Sequence, residues 1–345
     1  MNKERKPRKG IILLIVLTVL VAGGYYLWTG SLFGKRLPTF MGESIQTFTP
    51  LVTAVPFDST AEMALVTPMP AASPIVLSTP TALPADVKPV CGQKAPMILL
   101  GLGIDENEQA DVIRIVRVDF IERRILILSI PRDFWVPIPG LSEYNITQFK
   151  INAAYGYGEY FLGQGQGVVQ QSNTLYQNYG ISFDRYVVFH FSNFERMIDA
   201  VGGVDIVLEE PIGAYGTVGL THLDGKTALE YAQNRNNDSD LFRIKRQTEI
   251  IKSLYSKMIK TENLVKLPGL GIEFLGDKTV LTDLSLQDVA TFTCLAGEMD
   301  ELSLVFRDIP PELYQAARTN TGRFIFIPSD QVAVYIQDLV ANGNY

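Results

Sequence analysis

The chain has 345 residues, a formal net charge of −7 and 47% hydrophobic residues, with only two histidines and two cysteines. An acidic balance argues against a nucleic-acid surface, which needs cations to neutralise phosphates. With His190 and His222 alone, and no Cys/His cluster at zinc spacing, zinc chemistry and a Ser–His–Asp triad both fit poorly.

Residues 1–10 carry Lys3, Arg5, Lys6, Arg8 and Lys9 against Glu4. Ile11 to Trp28 is then uncharged and ends in Tyr25, Tyr26 and Trp28. About 18 apolar residues suffice to cross a hydrocarbon core of about 30 Å. The basic flank predicts a cytoplasmic N-terminus, and the aromatics suit the outer interface. An uncleaved anchor is preferred to a cleaved signal peptide, because the run is long for a signal and no Ala-x-Ala site follows. Either reading puts residues 29–345 outside the cell, and the first makes this a single-pass protein of the cell membrane.

Residues 29–90 are interrupted by Pro38, Pro50, Pro56, Pro68, Pro70, Pro74, Pro80, Pro84 and Pro89, among Thr, Ser and Ala. Proline removes backbone donors and disfavours helix, so the segment reads as a disordered tether with a span of about 40 Å. Residues 91–345 suffice for one large extracytoplasmic domain. Cys91 and Cys294 lie at its start and in its far half; an oxidising compartment permits a disulfide, with two buried thiols as the alternative.

Within the domain, Met97–Leu100, Val112–Val118, Ile125–Ile130, Tyr186–Phe189 and Val204–Leu208 are apolar or β-branched runs of strand length, and Asp119–Arg124 reads as a turn. Val168–Tyr179 reads as a helix. Ser192 to Glu195 has the pattern of a capping box, opening a helix through Ile198 and Val201 that stops at Gly202-Gly203. Leu223–Arg235, opened by Asp224, and Leu241–Lys260 are further helices. A strand at Leu302–Phe306 and a helix at Gln331–Val340 follow. The irregular alternation predicts an α/β (mixed α+β) fold: a central mixed β-sheet with helices on both faces. No internal repeat is visible.

Chemistry concentrates in a few windows. Gln233 to Gln247 gathers Arg235, Asp238, Asp240, Arg243, Arg246 and Gln247 around one helix start. Leu241, Ile244, Ile251, Leu254 and Met258 recur at helical spacing and mark its buried face. Arg243 and Gln247, four apart, project side by side. Guanidinium forks at a helix N-terminus suit a phosphate or pyrophosphate; a solvated charged helix start is the plain alternative. Ile125 to Asp133 is a strand-like run that stops at Pro131 and presents Arg132 and Asp133. Ile98 to Asp111 offers a buried strand, a loop and two carboxylates, Asp105 and Asp111. Lys150-Ile151-Asn152-Ala153-Ala154-Tyr155, Phe194 to Val207 and His222 to Ala232 complete the set.

Taken in this order, these windows resemble the LytR-CpsA-Psr (LCP) family of cell-wall enzymes, with the motif core at residues 97–260. The resemblance implies an LCP-type domain and a membrane-anchored phosphotransferase. Such enzymes take a glycopolymer carried on polyprenyl pyrophosphate and move it, with one phosphate, to a sugar hydroxyl of peptidoglycan. Phosphoryl transfer needs positive charge placed around the group in flight, which planar arginines supply best. The expected pyrophosphate clamp is Arg132, Arg235 and Arg243, with Gln247 adding a neutral hydrogen bond. Lys150 and Asn152 are candidates for phosphate or sugar contacts, or for loop packing. Asp105 and Asp111 are the expected Mg²⁺ or Mn²⁺ ligands, Asp111 the stronger since Asp105 also suits a plain turn. Asp133 and Asp240 are candidates to orient or deprotonate the attacking hydroxyl; pairing with Arg132 and helix capping are their structural alternatives. The lipid tail needs an apolar groove, for which Tyr186–Phe194 and helix 241–260 are available.

The chain departs from the family pattern in places. The usual Arg-x-Arg after Tyr-Ala is Gln233-Asn234-Arg235 here, one guanidinium short, and the usual Asp-Thr is Asp111-Val112. Glu106 and Glu108 add acid beside the carboxylate pair, while Arg114 can restore part of the missing charge. A hydrolase of the same lipid, and a module that binds polyprenyl pyrophosphate without turnover, are the alternatives. Direct gene regulation is disfavoured, because a tail of about ten residues cannot hold a DNA-reading helix pair.

Overall fold

The computed structural model describes residues 88–209, 218–233, 240–277 and 280–345. The expected basic tail and anchor, and the tether up to residue 87, lie outside them. No helix among the described residues is long and apolar enough to cross a membrane.

The first three strands, β1 (Met97–Ile104), β2 (Ala110–Asp119) and β3 (Arg124–Ser129), form an antiparallel meander, with Asp119 facing Arg124 across the expected turn. A short hairpin of β4 (Trp135–Pro137) and β5 (Gln148–Lys150) follows, then α1 (Ala153–Tyr157) and α2 (Gly167–Tyr179). After β6 (Arg185–His190) comes α3 (Phe191–Ala200). The ribbon of β7 (Val204–Leu208) and β8 (Gly219–Leu223) leads to α4 (Gly225–Gln233) and the long α5 (Asp240–Met258). The last part comprises α6 (Leu267–Gly276), β9 (Leu281–Thr282), α7 (Leu286–Ala296), β10 (Leu304–Asp308), the hairpin β11 (Tyr314–Arg318) with β12 (Phe324–Pro328), and α8 (Gln331–Gln337).

Six strands join in one sheet in the order β10-β3-β2-β1-β6-β9. β1–β6 and β3–β10 are parallel and the other pairs antiparallel, so the sheet is mixed, as the alternation of elements predicts. Strand alternation sends Leu100, Leu102 and Ile104 of β1, with Ile113 and Ile115 of β2, to a face covered by Val168 and Leu175 of α2 and Val332 and Ile336 of α8. Leu99 and Val118 point the other way, toward Leu295 and Phe292 of α7. Both faces are covered, which is why β1 reads as a continuous apolar run. Each fully buried Leu or Ile contributes about 1.5–3 kcal/mol. A separate cluster, Ile198, Val204, Ile206, Ala228, Ile250 and Leu254, ties α3, α4 and α5 to the ribbon. There the Tyr231 hydroxyl donates to Glu249 Oε2 at 2.5 Å, and burial beside that carboxylate holds the phenol protonated.

Cys91 and Cys294 form a disulfide, closing the choice that the sequence left open and joining the domain's start to α7. Several boundaries differ from expectation, β1 for one running on to Ile104, and three of them have a visible local cause. α3 begins at Phe191 with His190 as its cap, two residues before the expected cap Ser192, and Asn193 Oδ1 accepts the His190 N–H at 3.1 Å. Leu223 ends β8 rather than starting a helix; Asp224 does cap α4, accepting the Thr227 N–H at 2.8 Å. The strand expected at Leu302–Phe306 begins at Leu304, because Asp300 accepts the N–H groups of Leu302 and Ser303 and folds Glu301–Ser303 into a 3-10 turn.

Candidate functional site

The site begins with a defect in the sheet. Gly103 of β1 opposes Val112, but Ile104 opposes Ala110, so Asp111 is the extra residue of a β-bulge. A bulge re-aims the side chain it carries. Without it, alternation would send Asp111 toward the same face as Ile113. Instead its carboxylate lines a cavity of about 600 Å³ on the other face.

Two arginines converge on that carboxylate. Arg132 follows Pro131 just beyond the end of β3, and its Nη1 donates to Asp111 Oδ1 at 2.6 Å. Arg243, in the first turns of α5, donates from Nη1 to Asp111 Oδ2 at 3.3 Å. Asp111 and Arg243 are nearly buried, with side chains 8% and 7% exposed, whereas the Arg132 side chain is 21% exposed. One turn further along α5, Gln247 Oε1 accepts from Nη2 of Arg114 at 3.3 Å. The sequence-predicted Arg132, Arg243, Gln247 and Asp111 are therefore brought together. Arg235 lies outside the described residues, as does the side chain of Asp240.

Behind Arg132, the Asp133 carboxylate is 2.5 Å from Lys150 Nζ and 3.9 Å from Arg132 Nε. Asn152 donates from Nδ2 to Gln109 Oε1 at 2.9 Å, while its backbone holds Arg132 O and Ala110 N. Asp133, Lys150 and Asn152 thus brace the segment that carries Arg132 and the start of β2 that carries Asp111, and neither these three nor Arg132 line the cavity. Asp105 lines it but also organises its own turn, accepting the N–H groups of Asn107 and Gln109 at 2.9 and 2.8 Å.

The remaining lining is of the opposite character. Phe189, Phe191 and Phe194 from the β6–α3 junction, Met197, Leu229, Val116, Ile127, and Ile250, Ile251 and Leu254 of α5 make an apolar body behind the charged groups. The β6–α3 aromatics and α5 fall in the segments expected to line a groove. The sequence did not single out Gly101, whose missing side chain leaves room opposite Arg114, although a glycine inside an apolar strand is a known sign of close approach.

Among the described residues no group of three or more His, Cys, Asp or Glu side chains is placed to hold a metal ion. Asp105 and Asp111 share one cavity and offer only hard oxygen donors. By donor type that set suits Mg²⁺ or Mn²⁺, although here the Asp111 oxygens accept from Arg132 and Arg243 and those of Asp105 from Asn107 and Gln109.

Residues 82–337 match the LytR_cpsA_psr family. Regulatory protein MsrR of Staphylococcus aureus is 31% identical over 236 residues, which is 65% of this chain and 67% of that protein. Polyisoprenyl-teichoic acid–peptidoglycan teichoic acid transferase TagU of Oceanobacillus iheyensis is 29% identical over 250 residues, 69% of this chain and 73% of that one. Among solved structures, B. subtilis TagV superposes with a TM-score of 0.59 at 24% identity, covering 72% of this chain and 98% of that one. The protein YwtF (TagT) with bound octaprenyl pyrophosphate lipid does so with a TM-score of 0.54 at 22% identity, covering 72% and 91%. The family match takes in the whole sheet and every described wall of the cavity, and the chain belongs to the LytR_cpsA_psr family.

Proposed function

We propose that this chain is a membrane-anchored phosphotransferase that moves a glycopolymer with one phosphate from polyprenyl pyrophosphate to a peptidoglycan sugar hydroxyl. The observation that carries this reading is the two-part cavity: a charged rim, where lining Asp111 holds lining Arg243 and, from outside the lining, Arg132, joined to an apolar body. An isoprenoid tail matches the body and a pyrophosphate matches the rim. The relatives support the same reading, since TagU is named a teichoic acid transferase and TagT was solved with octaprenyl pyrophosphate.

In the reaction, the sugar hydroxyl oxygen bonds to the phosphorus that carries the glycan. The bond from that phosphorus to the bridging oxygen breaks, and polyprenyl phosphate leaves. Arg132, Arg243 and the expected Arg235 gather charge developing on the phosphoryl oxygens, and Gln247 adds a neutral donor. Arg132 is the more exposed of the two described arginines, which suits it to the acceptor side of the reaction. Asp133, held by Lys150, fixes Arg132 in orientation. The hydroxyl proton passes to a carboxylate, for which Asp240 at the start of α5 is our candidate. Mg²⁺ or Mn²⁺ held by Asp105 and Asp111 would supply further neutralising charge on the pyrophosphate.

The test is to incubate the full-length chain with a polyprenyl-pyrophosphate oligosaccharide, peptidoglycan fragments and Mg²⁺, and to follow products by mass spectrometry. A phosphodiester-linked glycan that disappears with Arg132→Ala supports the transferase. Free sugar phosphate alone would make the chain a hydrolase. Gln233, which lines the cavity where the family pattern has arginine, favours a second reading in which lipid binds without turnover. Tight binding with no product would establish that one.

A further inference from the structure

Arg114 stands in an unusual place. It lies on β2 between Val112 and Val116 and shares their face of the sheet, and it is only 5% exposed. Taking a guanidinium out of water is costly, so a strand position of this kind is ordinarily apolar. Yet Arg114 lines the same cavity as Arg243 and Gln247.

It lies nearer the apolar part of the cavity than the Asp111 cluster does. Along β2 the lining runs Asp111, Arg114, Val116; along α5 it runs Arg243, Gln247, Ile251, Leu254. Asp111 meets Arg243 and Arg114 meets Gln247, so the two elements carry matching tiers in the same direction. One helical turn, about 6 Å, separates the α5 members of the tiers. Beyond the second tier the wall is apolar. Arg114 therefore sits where charge gives way to hydrocarbon.

We propose that Arg114 binds the lipid-side phosphate of a polyprenyl pyrophosphate, the one esterified to the isoprenoid, while the Asp111–Arg132–Arg243 tier faces the glycan-side phosphate. The inference rests on the pyrophosphate reading above and adds an order to it. Five N–H donors in a planar fork let one guanidinium serve Gln247 and a phosphate together. After transfer the lipid-side phosphate remains on the leaving group, so Arg114 would stabilise polyprenyl phosphate as it departs.

Three probes separate the tiers: farnesyl pyrophosphate, farnesyl monophosphate and farnesol, titrated against the full-length chain in detergent. Arg114→Met is expected to weaken both phosphorylated probes by about tenfold or more, as loss of a charge-assisted hydrogen bond does, and to leave farnesol binding unchanged. Arg132→Ala is expected to weaken the pyrophosphate more than the monophosphate. Arg114→Lys restores part of the loss if charge at this depth is what matters. Equal loss for farnesol would show a collapsed cavity wall and overturn the proposal, as would unchanged binding of the monophosphate. If the unaltered chain binds farnesyl pyrophosphate no better than farnesol, the pyrophosphate reading itself fails.

Discussion

Asp111 and Arg132 meet through a 2.6 Å hydrogen bond between groups 21 residues apart, one on a bulge and the other just past a strand end. The contact holds the more exposed clamp arginine against Asp111, a carboxylate that lines the cavity. Replacing Arg132 by alanine is expected to lower turnover by about 10³-fold, by analogy with arginines that stabilise phosphoryl transfer. Lipid binding should fall far less, and steady-state kinetics with direct titration of the lipid would show the split.

Asp111 also neutralises Arg243, whose side chain is 7% exposed. Asp111→Ala would leave that guanidinium buried without the carboxylate. A loss of about 3–5 kcal/mol in stability is expected, against a smaller loss for Asp111→Asn, which keeps an acceptor. Denaturant unfolding of the two variants is the check.

A divalent cation requirement is expected of the transferase reaction. Chelation should abolish product formation, and Mg²⁺ or Mn²⁺ should restore it. In Asp105→Asn the cation concentration for half-maximal rate should rise. A rate unaffected by chelator would remove Asp105 and Asp111 from the metal role.

The disulfide closes a sequence separation of 203 residues. Replacing Cys91 and Cys294 together by alanine is expected to reduce stability by about 2–4 kcal/mol, lowering Tm by roughly 5–15 °C. Thermal unfolding with and without reductant gives the same comparison in the unaltered chain.

Acid sensitivity should come in part from Asp288 on α7. Burial alone would raise its pKa, but hydrogen bonds from Ser285 and the Arg185 guanidinium at 3.0 Å pull it below the usual carboxylate range. A folded-state pKa below the unfolded value gives stability that is fully present above about pH 4 and lost as the pH falls through the lowered value. Tm measured from pH 7 to pH 3 should fall more steeply for the unaltered chain than for Asp288→Asn.

The central strands were legible because β1, β2, β3 and β6 are apolar or β-branched runs between clear breakers. Helix α5 was legible from the spacing of Ile244, Ile251 and Leu254. The hairpin of β4 and β5 was not, since three residues on each side leave no period to detect and Pro137 argues against a strand. α7 was overlooked although its signal was present: Ser285 and Asp288 exchange the reciprocal hydrogen bonds of a capping box. At the site, residue types in Arg132, Arg243, Gln247 and Asp111 pointed to phosphate chemistry. What sequence could not supply was the pairing. Arg243 reaches Asp111 across 132 residues, and the bulge exists only once β1 and β2 are in register.

The Cys91–Cys294 bond also bears on how the domain carries a mechanical load. Any pull on the chain entering at Lys88 meets Cys91 before it meets β1, which begins at Met97. From Cys91 the force divides between the backbone and a covalent shortcut into α7, on the face of the sheet away from α2 and α8. The strand that carries Gly101 and Gly103, and against which the bulge is defined, is thereby relieved of much of the strain. Tugging at the N-terminal side should leave the geometry around Asp111 undisturbed until α7 itself gives way.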